Sequence, residues 1–242
     1  MSYNRQTKFD IRCEWGEQGV KALSVDSDAV IIVDVLSFST CVSVAVHNGA
    51  IVYPFHSNMM TAQEYASEKN ALLASKQRNT KGYTLSPSSL MTIPRGTKIV
   101  LPSPNGSTLS TLTDKVPTFA GCLRNARVVA KAAQKLGARV SVIPAGERWF
   151  STDFSLRPSM EDWIGAGAII HYLSGKKSFE AQAAENIFLQ YQNHLHDVFQ
   201  QIGSGIELID KGFAKDVKLA SELNTSTIAP RLKDDAYQRV VL

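Results

Sequence analysis

Short apolar runs alternate with polar, turn-forming segments along the first 150 positions of the chain. The run DAVIIVDVL at 28–36 is apolar almost throughout, which is typical of a strand buried on both faces of a sheet. Four further runs also predict strands. The five predicted strands cover 28–36, 50–55, 97–103, 116–121 and 138–146.

Helical periodicity fills most of the remaining chain, and it is strongest at 123–137, where an apolar stripe faces away from Arg and Lys. The polar stretch 80–96, with its prolines and glycines, predicts a loop excursion. Strands that alternate with helices indicate an α/β sandwich on a largely parallel sheet, with a helical C-terminal third. The other predicted helices cover 37–49, 58–77, 158–173, 178–201 and, as one or two helices, 204–223.

Composition is ordinary for a globular protein. The 242 residues approach the upper size for one hydrophobic core, so we expect a single domain over 1–242. A content of 44% hydrophobic and 20% charged residues favours a soluble protein. No apolar run approaches the length of about 20 residues that spans a bilayer, and the N-terminus lacks a signal core, so we expect no membrane partner.

The cysteines and the net charge indicate which compartment and which classes of partner to expect. Cys13, Cys41 and Cys122 are widely spaced, which predicts neither a disulfide framework nor a zinc site and favours a reduced, cytoplasmic setting. The net charge of +4 permits a small anionic substrate, but no basic run carries interleaved aromatic residues, so no nucleic acid partner is predicted. The apolar stripe within 178–201 suits either the core or a second subunit, which leaves a homodimer open.

Three polar segments follow predicted strands. Asp34 lies near the end of the first strand, SPNGS (103–107) follows the third, and AGER (145–148) follows the fifth. Ligands of open α/β sheets gather at the carboxyl ends of strands, so we expect these segments to share one site. A carboxylate inside an apolar run is costly to bury without a partner. Asp34 is therefore either a hydrogen-bonded strand-end residue or a metal ligand, nucleophile or base.

The segment SPNGST has two interpretations. Asn-Gly pairs are common in turns, and a following helix needs a cap. Alternatively, the segment binds an anion, because Gly106 lets backbone N–H groups approach a ligand and a helix beginning near 107 directs its positive end there. Further donors in this segment are Ser103, Asn105, Ser107 and Thr108.

Acidic residues further along the chain also have two interpretations. In RPSMEDW, Ser159 and Asp162 match a capping box, and acids in a first turn complement the helix dipole. Alternatively, Glu161 and Asp162 join Asp34 in binding a hard cation such as Mg²⁺. Glu147 is either a solvated loop acid or a further ligand.

Arg124 and Asn125 begin the helix after the fourth predicted strand. Either they lie on a solvated helix face, or they clamp a phosphate or sulfonate group, which the fork of a guanidinium suits. Cys122 is interpreted as a small buried residue rather than a nucleophile, because no paired His is evident.

Six segments resemble, in the same order, those of the 2-phosphosulfolactate phosphatase family, over nearly the whole chain from about residue 28 to about residue 231. The blocks at 157–168 and at 212–220, the latter reading GFxxDVxLA, are the most specific. The segments are VDVLSFSTCVSVAVHNGA, LPSPNGSTLS, GCLRNARVVA, VIPAGER, RPSMEDWIGAGAI and SGIELIDKGFAKDVKLASELNTSTIAP.

The resemblance implies a three-layer α/β/α sandwich with a largely parallel or mixed sheet and a Mg²⁺-dependent phosphatase. Such an enzyme converts (R)-2-phospho-3-sulfolactate to 3-sulfolactate and phosphate, a step toward coenzyme M. On this basis we expect Asp34, together with Glu161 or Asp162, to hold the metal, and Glu147 to act as a general base or a further ligand, so that Asp34 and Glu147 are the catalytic candidates. The residues expected to contact substrate are Ser37, Asn105, Gly106, Ser107, Arg124, Asn125 and Arg157.

One position departs from the family pattern. The family usually has Arg after DVL, whereas this chain has Ser37, followed by the bulky Phe38. An Arg there would suit a phosphate or sulfonate, and we expect Arg148, Arg157 or Arg124 to compensate for it. Two alternatives to the family activity follow from this departure: a phosphatase acting on a different small phosphoester, or an anion-binding relative without catalysis.

Overall fold

The structure, a computed structural model, describes residues 3–56, 59–75, 77–149 and 153–240. Strands and helices follow one another along these ranges. The strands are β1 (Ile11–Cys13), β2 (Ala29–Val33), β3 (Ile51–Phe55), β4 (Leu72–Leu73), β5 (Lys98–Pro102), β6 (Thr118–Gly121), β7 (Val140–Pro144), β8 (Glu147–Arg148), β9 (Leu156–Arg157), β10 (Pro230–Lys233) and β11 (Ala236–Arg239). The helices are α1 (Gly16–Leu23), α2 (Phe38–His47), α3 (Ala62–Glu68), α4 (Gly106–Thr111), α5 (Ala126–Gln134), α6 (Met160–His171), α7 (Phe179–Tyr191), α8 (Leu195–Phe199), α9 (Gly203–Asp210) and α10 (Ala214–Ala220).

The described strands form one nine-stranded mixed sheet and a separate pair, β8 and β9. The order across the large sheet is β1-β7-β2-β6-β10-β11-β3-β5-β4. Two parallel blocks, β1-β7-β2-β6 and β3-β5-β4, are joined by the antiparallel hairpin β10-β11. Because each pairing of the hairpin is antiparallel, β3, β5 and β4 run opposite to β2. The predicted α/β fold is confirmed, and its sheet is mixed.

Helices cover both faces of the sheet, because the β-branched run of β2 is buried on both sides. Ile31 and Val33 belong to a core cluster that includes residues of α5, α6 and α7. Val30 and Ile32 point the other way and pack with α1 and with Leu109 of α4. Buried residues of α2 pack with β3 and β5. The α/β/α sandwich is therefore confirmed.

The helix predicted over 58–77 is much shorter in the structure, where it covers Ala62–Glu68. Asn70 has a left-handed conformation with φ of 49°, which ends the helix, and β4 begins two residues later. Residues 58 and 76 of the predicted helix lie outside the described ranges.

The long C-terminal helix is divided more finely than predicted, whereas the segment after it agrees with the prediction of one or two helices. The segment 178–201 is interrupted at 192–194 and so forms α7 and α8. The segment 204–223 forms two helices, α9 and α10. The stretch 80–96 contains a short 3₁₀ turn at Pro87–Leu90.

Sequence patterns do not predict β1, α1 or the β10-β11 hairpin, and the reason is their polar content. The middle residue of β1 is Arg12, whose buried guanidinium donates a hydrogen bond to Asp26 (2.6 Å). The hairpin turns at Asp234 and Asp235, which have φ of 51° and 63°. Such turns are usually signalled by Asn-Gly or Asp-Gly rather than by Asp-Asp.

Two expectations about the chain as a whole can be compared with the structure. No helix within the described ranges is long and apolar enough to cross a membrane. Cys13, Cys41 and Cys122 are free and buried. Burial raises the pKa of the Cys122 thiol, which agrees with its interpretation as a buried residue rather than a nucleophile.

Candidate active site

Asp34 directly follows β2, and its buried side chain is hydrogen-bonded through both oxygens. Its Oδ1 accepts a hydrogen bond from the backbone N–H of Phe38 (3.2 Å). Its Oδ2 accepts from the backbone N–H of Gly106 (2.8 Å) and from the hydroxyl of Ser103 (3.3 Å). The end of β2 and the segment after β5 therefore meet. They do not share a sheet edge, since β5 runs opposite to β2, and the loop before α4 makes the contact.

Gly106 is the residue that permits this close approach. A Cβ atom at this position would lie 2.3 Å from Cδ1 of Phe38 and 2.8 Å from Oδ2 of Asp34. The N–H of Gly106, which the sequence predicts to face an anion, thus faces the carboxylate of Asp34. The hydroxyl of Ser107 donates to the carbonyl of Leu101 (2.7 Å). In the protein alone, this turn holds a carboxylate of the chain itself.

Glu147 lies beside the same turn. Its Oε1 accepts hydrogen bonds from the side-chain amide of Asn105 (3.0 Å) and from the backbone N–H of Arg148 (2.9 Å). Two of the three predicted segments, SPNGS and AGER, are therefore in direct contact, and Asp34 joins them through Gly106. The predicted convergence of the three segments is present.

Asp162 connects three parts of the site. Its Oδ1 accepts from the backbone N–H of Val35 (2.7 Å). Its Oδ2 accepts from the backbone N–H of Gly146 (2.9 Å) and the hydroxyl of Ser159 (3.2 Å). Ser159 precedes α6 but makes no side-chain cap to its backbone, so the predicted capping box does not form. The carboxylate instead holds the ends of β2 and β7 against the start of α6.

Glu161 is buried on the first turn of α6, and the nearby hydroxyl of Ser204 opposes the rise in its pKa that burial causes. The guanidinium of Arg157 donates to this hydroxyl (3.2 Å), and it stacks over the ring of Trp149 at 5.7 Å. Ser204, on α9, is a site residue that sequence reasoning missed. Ser is common on helix surfaces, and no local pattern marks this one.

Asp34, Glu147, Glu161 and Asp162 form an acidic cluster. Burial and mutual repulsion raise the pKa values of three of these acids. Burial raises the pKa of Asp34 to about 6, and the charge of Glu147 adds to the rise, although N–H donors from Gly106 and Phe38 oppose it. Burial and the charge of Asp34 raise the pKa of Asp162 well above its ordinary value. Burial likewise raises the pKa of Glu161. Burial therefore disfavours the charged forms of these three acids in the protein alone.

Three other predicted residues make their contacts away from this cluster. Arg124 is paired with the carboxylate of Glu222, and it also donates to the carbonyl of Leu219 (3.3 Å). The side chain of Asn125 bonds the backbone of its own turn, at Cys122 and Ala120. Arg148 is paired with Glu17 (2.6 Å). A substrate role for Arg124 and Asn125 stays a prediction from the resemblance.

The guanidinium that reaches Ser37 belongs to Arg78, which sequence reasoning missed. Its Nη2 donates to the hydroxyl of Ser37 (2.9 Å), and its Nη1 is paired with Asp216 (3.2 Å). Arg78 lies in a polar turn without periodicity, so no local pattern marks it. Asp216 lies in the GFxxDVxLA block, which was specific for the resemblance but suggested no role.

A cavity of about 660 Å³ adjoins this arrangement. Glu147 and Ser204 line it on the side of the acidic cluster, and Arg78 lines it together with Leu36 and Phe213. The cavity therefore reaches both the acidic cluster and a guanidinium. Such an arrangement accommodates a small molecule with more than one charged group.

A family model described as 2-phosphosulpholactate phosphatase matches residues 18–235. The chain belongs to this family. A probable 2-phosphosulfolactate phosphatase of Carboxydothermus hydrogenoformans is 31% identical over 218 residues, which cover 87% of this chain and 88% of that protein. Proteins of the same name from Thermosynechococcus vestitus and Gloeobacter violaceus are each 25% identical, and these matches cover 84% of this chain and 88% of each relative.

Membership in the 2-phosphosulfolactate phosphatase family gives the departure at Ser37 a structural context. Among the described residues, neither Arg148, Arg157 nor Arg124 hydrogen-bonds Ser37, and Arg78 does. At position 37, where the resemblance leads us to expect Arg, the chain has a serine hydroxyl. This hydroxyl accepts a hydrogen bond from the guanidinium of Arg78, which comes from another segment.

The acidic cluster suits a hard cation by charge and by donor type. Asp34, Glu147 and Glu161 offer carboxylate oxygens, and no ion pair found between described residues involves them. In the described part of the chain, however, no three Asp, Glu, His or Cys side chains are arranged to hold a metal ion. Mg²⁺ usually binds through one or two carboxylates together with waters and substrate phosphate. The cluster fits that mode of binding, and Mg²⁺ stays a prediction.

Proposed function

We propose that this protein is a Mg²⁺-dependent phosphatase that hydrolyses (R)-2-phospho-3-sulfolactate to 3-sulfolactate and inorganic phosphate. The observation that carries the proposal is the buried acidic cluster around Asp34, which opens through Glu147 onto a cavity that also contains Arg78. Family membership supports the substrate. A cytoplasmic setting and a role toward coenzyme M stay predictions from the sequence.

Asp34 and Glu161 are the proposed protein ligands of Mg²⁺. Their raised pKa values show that burial disfavours their charged forms in the protein alone, and a bound cation favours those forms. Bound Mg²⁺ would neutralise phosphate oxygens and lower the pKa of a bound water. Asp162, a predicted ligand, accepts hydrogen bonds on both oxygens, as Asp34 does, but its donors Val35, Gly146 and Ser159 belong to three separate segments of the chain. We propose that it positions the loops that carry the ligands.

Glu147 is the proposed general base. The Asn105 amide and the Arg148 N–H fix one of its oxygens, and the residue lines the cavity, where a water can reach it. Glu147 accepts a proton from the attacking water as the water oxygen bonds to phosphorus. The phosphorus–oxygen ester bond breaks, the leaving alkoxide takes a proton from solvent to become the hydroxyl of 3-sulfolactate, and Glu147 returns its proton to solvent.

Asn105, Arg157 and Gly106 are proposed to hold the substrate, with Ser37 and Ser107 as supporting residues, because they contact the acidic cluster, residues that line the cavity or the turn between them. Asn105 is bonded to Glu147, and Arg157 is bonded to Ser204. Ser37 bears Arg78. Gly106 shapes the turn, because any larger residue would displace Phe38 or Asp34. Ser107 supports the same turn through its bond to Leu101.

Phosphate release from a panel of phosphomonoesters tests the proposal. The panel contains 2-phospho-3-sulfolactate, 2-phospholactate, which lacks the sulfonate, and glycerol 2-phosphate, which carries no second acid. We expect turnover that is greatest for 2-phospho-3-sulfolactate, that requires Mg²⁺ and that ends when EDTA is added. Greater turnover of another member would favour a different substrate. Folded protein that binds 3-sulfolactate yet releases no phosphate from any member would instead indicate an anion-binding relative.

A further inference from the structure

Arg78 is held in place by three groups from two separate segments of the chain. Its Nη1 is paired with Asp216 on α10 (3.2 Å), and its Nη2 donates to Ser37 after β2 (2.9 Å). Its guanidinium lies over the ring of Phe213, 5.8 Å from the ring centre. An Arg fixed in this way loses little conformational entropy on binding a ligand.

Asp216 gives the arrangement its rigidity. Its side chain is fully buried, and its second oxygen accepts a hydrogen bond from the backbone N–H of Ser88 (3.0 Å). A buried carboxylate that is bonded on both oxygens has a fixed position, and so it fixes the guanidinium that is paired with it. The Arg78 side chain itself retains 17% exposure.

The guanidinium has donors to spare where it meets the cavity. A guanidinium carries five N–H groups, and those of Arg78 make two hydrogen bonds to described side chains. Arg78 lines the same cavity as Glu147 and Ser204, and the hydroxyl of Ser204 accepts a hydrogen bond from Arg157 (3.2 Å). A ligand in this cavity is therefore in contact with the lining formed by Glu147 and Ser204 as well as by the Arg78 guanidinium.

We propose that Arg78 binds the second anionic group of the substrate, a carboxylate or sulfonate, while the phosphate lies at the acidic cluster. Ser37 and Asp216 act as positioning residues that set the orientation of the guanidinium. This inference rests on the proposed function, because it assumes that the phosphate is bound near Asp34 and Glu147. Arg78 is then the residue that selects phosphoesters with a neighbouring acid over those without one.

Arg78→Gln tests the proposal through a comparison of two substrates. We expect kcat/KM for 2-phospho-3-sulfolactate to fall about 10- to 100-fold, mainly through KM, because a charge-assisted hydrogen bond to the substrate is lost. With glycerol 2-phosphate, which has no second acid, kcat/KM is expected to change less than about twofold. 2-Phospholactate, which keeps the carboxylate but lacks the sulfonate, shows which group Arg78 contacts.

Two further variants separate binding from structure. Arg127→Gln removes a guanidinium that also lies over an aromatic ring, that of Tyr172, but outside the cavity lining, and it should leave both substrates unaffected. Asp216→Asn keeps the shape of the side chain and removes its charge. It should raise KM for 2-phospho-3-sulfolactate by a larger factor than it lowers kcat. If Arg78→Gln does not fold, Arg78→Lys provides the test, because it keeps the charge but loses the forked guanidinium. It should lower kcat/KM for 2-phospho-3-sulfolactate by a smaller factor and again leave that for glycerol 2-phosphate nearly unchanged.

Calorimetry with 3-sulfolactate tests Arg78 even if no phosphoester is turned over. The expected result is at least about tenfold weaker binding of 3-sulfolactate by Arg78→Gln, with binding of inorganic phosphate unchanged. Equal losses for both phosphoesters, or unchanged 3-sulfolactate binding, would overturn the role of Arg78. Absence of turnover by the wild-type protein would contradict the proposed function alone.

Discussion

Replacing Asp34 with Asn is expected to lower kcat/KM for 2-phospho-3-sulfolactate by at least about a hundredfold. The amide matches the carboxylate in shape but lacks its charge, and its NH₂ group would face the N–H of Gly106 if it took the place of Oδ2. The variant should remain folded, because one oxygen can still accept a hydrogen bond. The measurement is phosphate release at saturating Mg²⁺, with circular dichroism to check the fold.

Asp197→Asn is the matched control for this loss. Its carboxylate is exposed on α8, and the change should leave kcat/KM as in the wild-type protein. If Asp34→Asn retained wild-type activity and the same requirement for Mg²⁺, Asp34 would be neither a metal ligand nor a catalytic group. The site would then have to lie elsewhere in the fold.

Asp162→Ala is expected to lower the free energy of unfolding by about 2–5 kcal/mol. The change leaves the buried N–H groups of Val35 and Gly146 without their carboxylate partner. Relief of repulsion between Asp162 and Asp34 offsets part of this cost. Urea unfolding followed by circular dichroism measures the difference, and Asp162→Asn, which keeps one acceptor oxygen, should lose less.

The same pair of variants distinguishes positioning from metal binding by Asp162. A positioning role predicts reduced stability in both variants and an unchanged Mg²⁺ concentration for half-maximal activity in Asp162→Asn. The opposite pattern, unchanged stability with a much higher Mg²⁺ requirement, would make Asp162 a ligand, as the sequence first suggested.

The centre of the site could be predicted from the sequence because its signal is local. Asp34 interrupts an apolar run, and a carboxylate that is buried there needs hydrogen-bond donors. Gly106 and Ser103 are such donors. Glu147 follows a strand and a glycine, and it meets Asn105 as the convergence of loops suggested. These residues lie near predicted strands, whose positions the hydrophobic pattern marks well.

The partners of Asp162 and Arg78 could not be predicted, since they are set by tertiary structure. The capping-box pattern identified Ser159 and Asp162 but assigned the carboxylate to the local helix, whereas it accepts a hydrogen bond from Val35, 127 positions away. Arg78 and Asp216 are 138 positions apart; Arg78 lies outside any periodic pattern, and the helix predicted over 204–223 gives no sign of the partner of Asp216. Pairs this distant become visible only once the fold has brought their segments together.

Sheet direction was hidden for a related reason. The hairpin β10-β11 has polar residues and an Asp-Asp turn, so its strands resemble an irregular tail. Its insertion between β6 and β3 reverses the second parallel block, including β5. The expectation of parallel strands with shared ends placed the segment after β5 near Asp34 for an incomplete reason, since β5 runs opposite to β2 although Ser103, directly after β5, contacts Asp34.

A crystal structure of the protein with Mg²⁺ and inorganic phosphate tests the central claim most directly. The account predicts a cation bound by oxygens of Asp34 and Glu161 and by an oxygen of the phosphate, with the phosphate next to Asn105 and Glu147. Cation and phosphate bound together at another place, with the acidic cluster free of both, would contradict it.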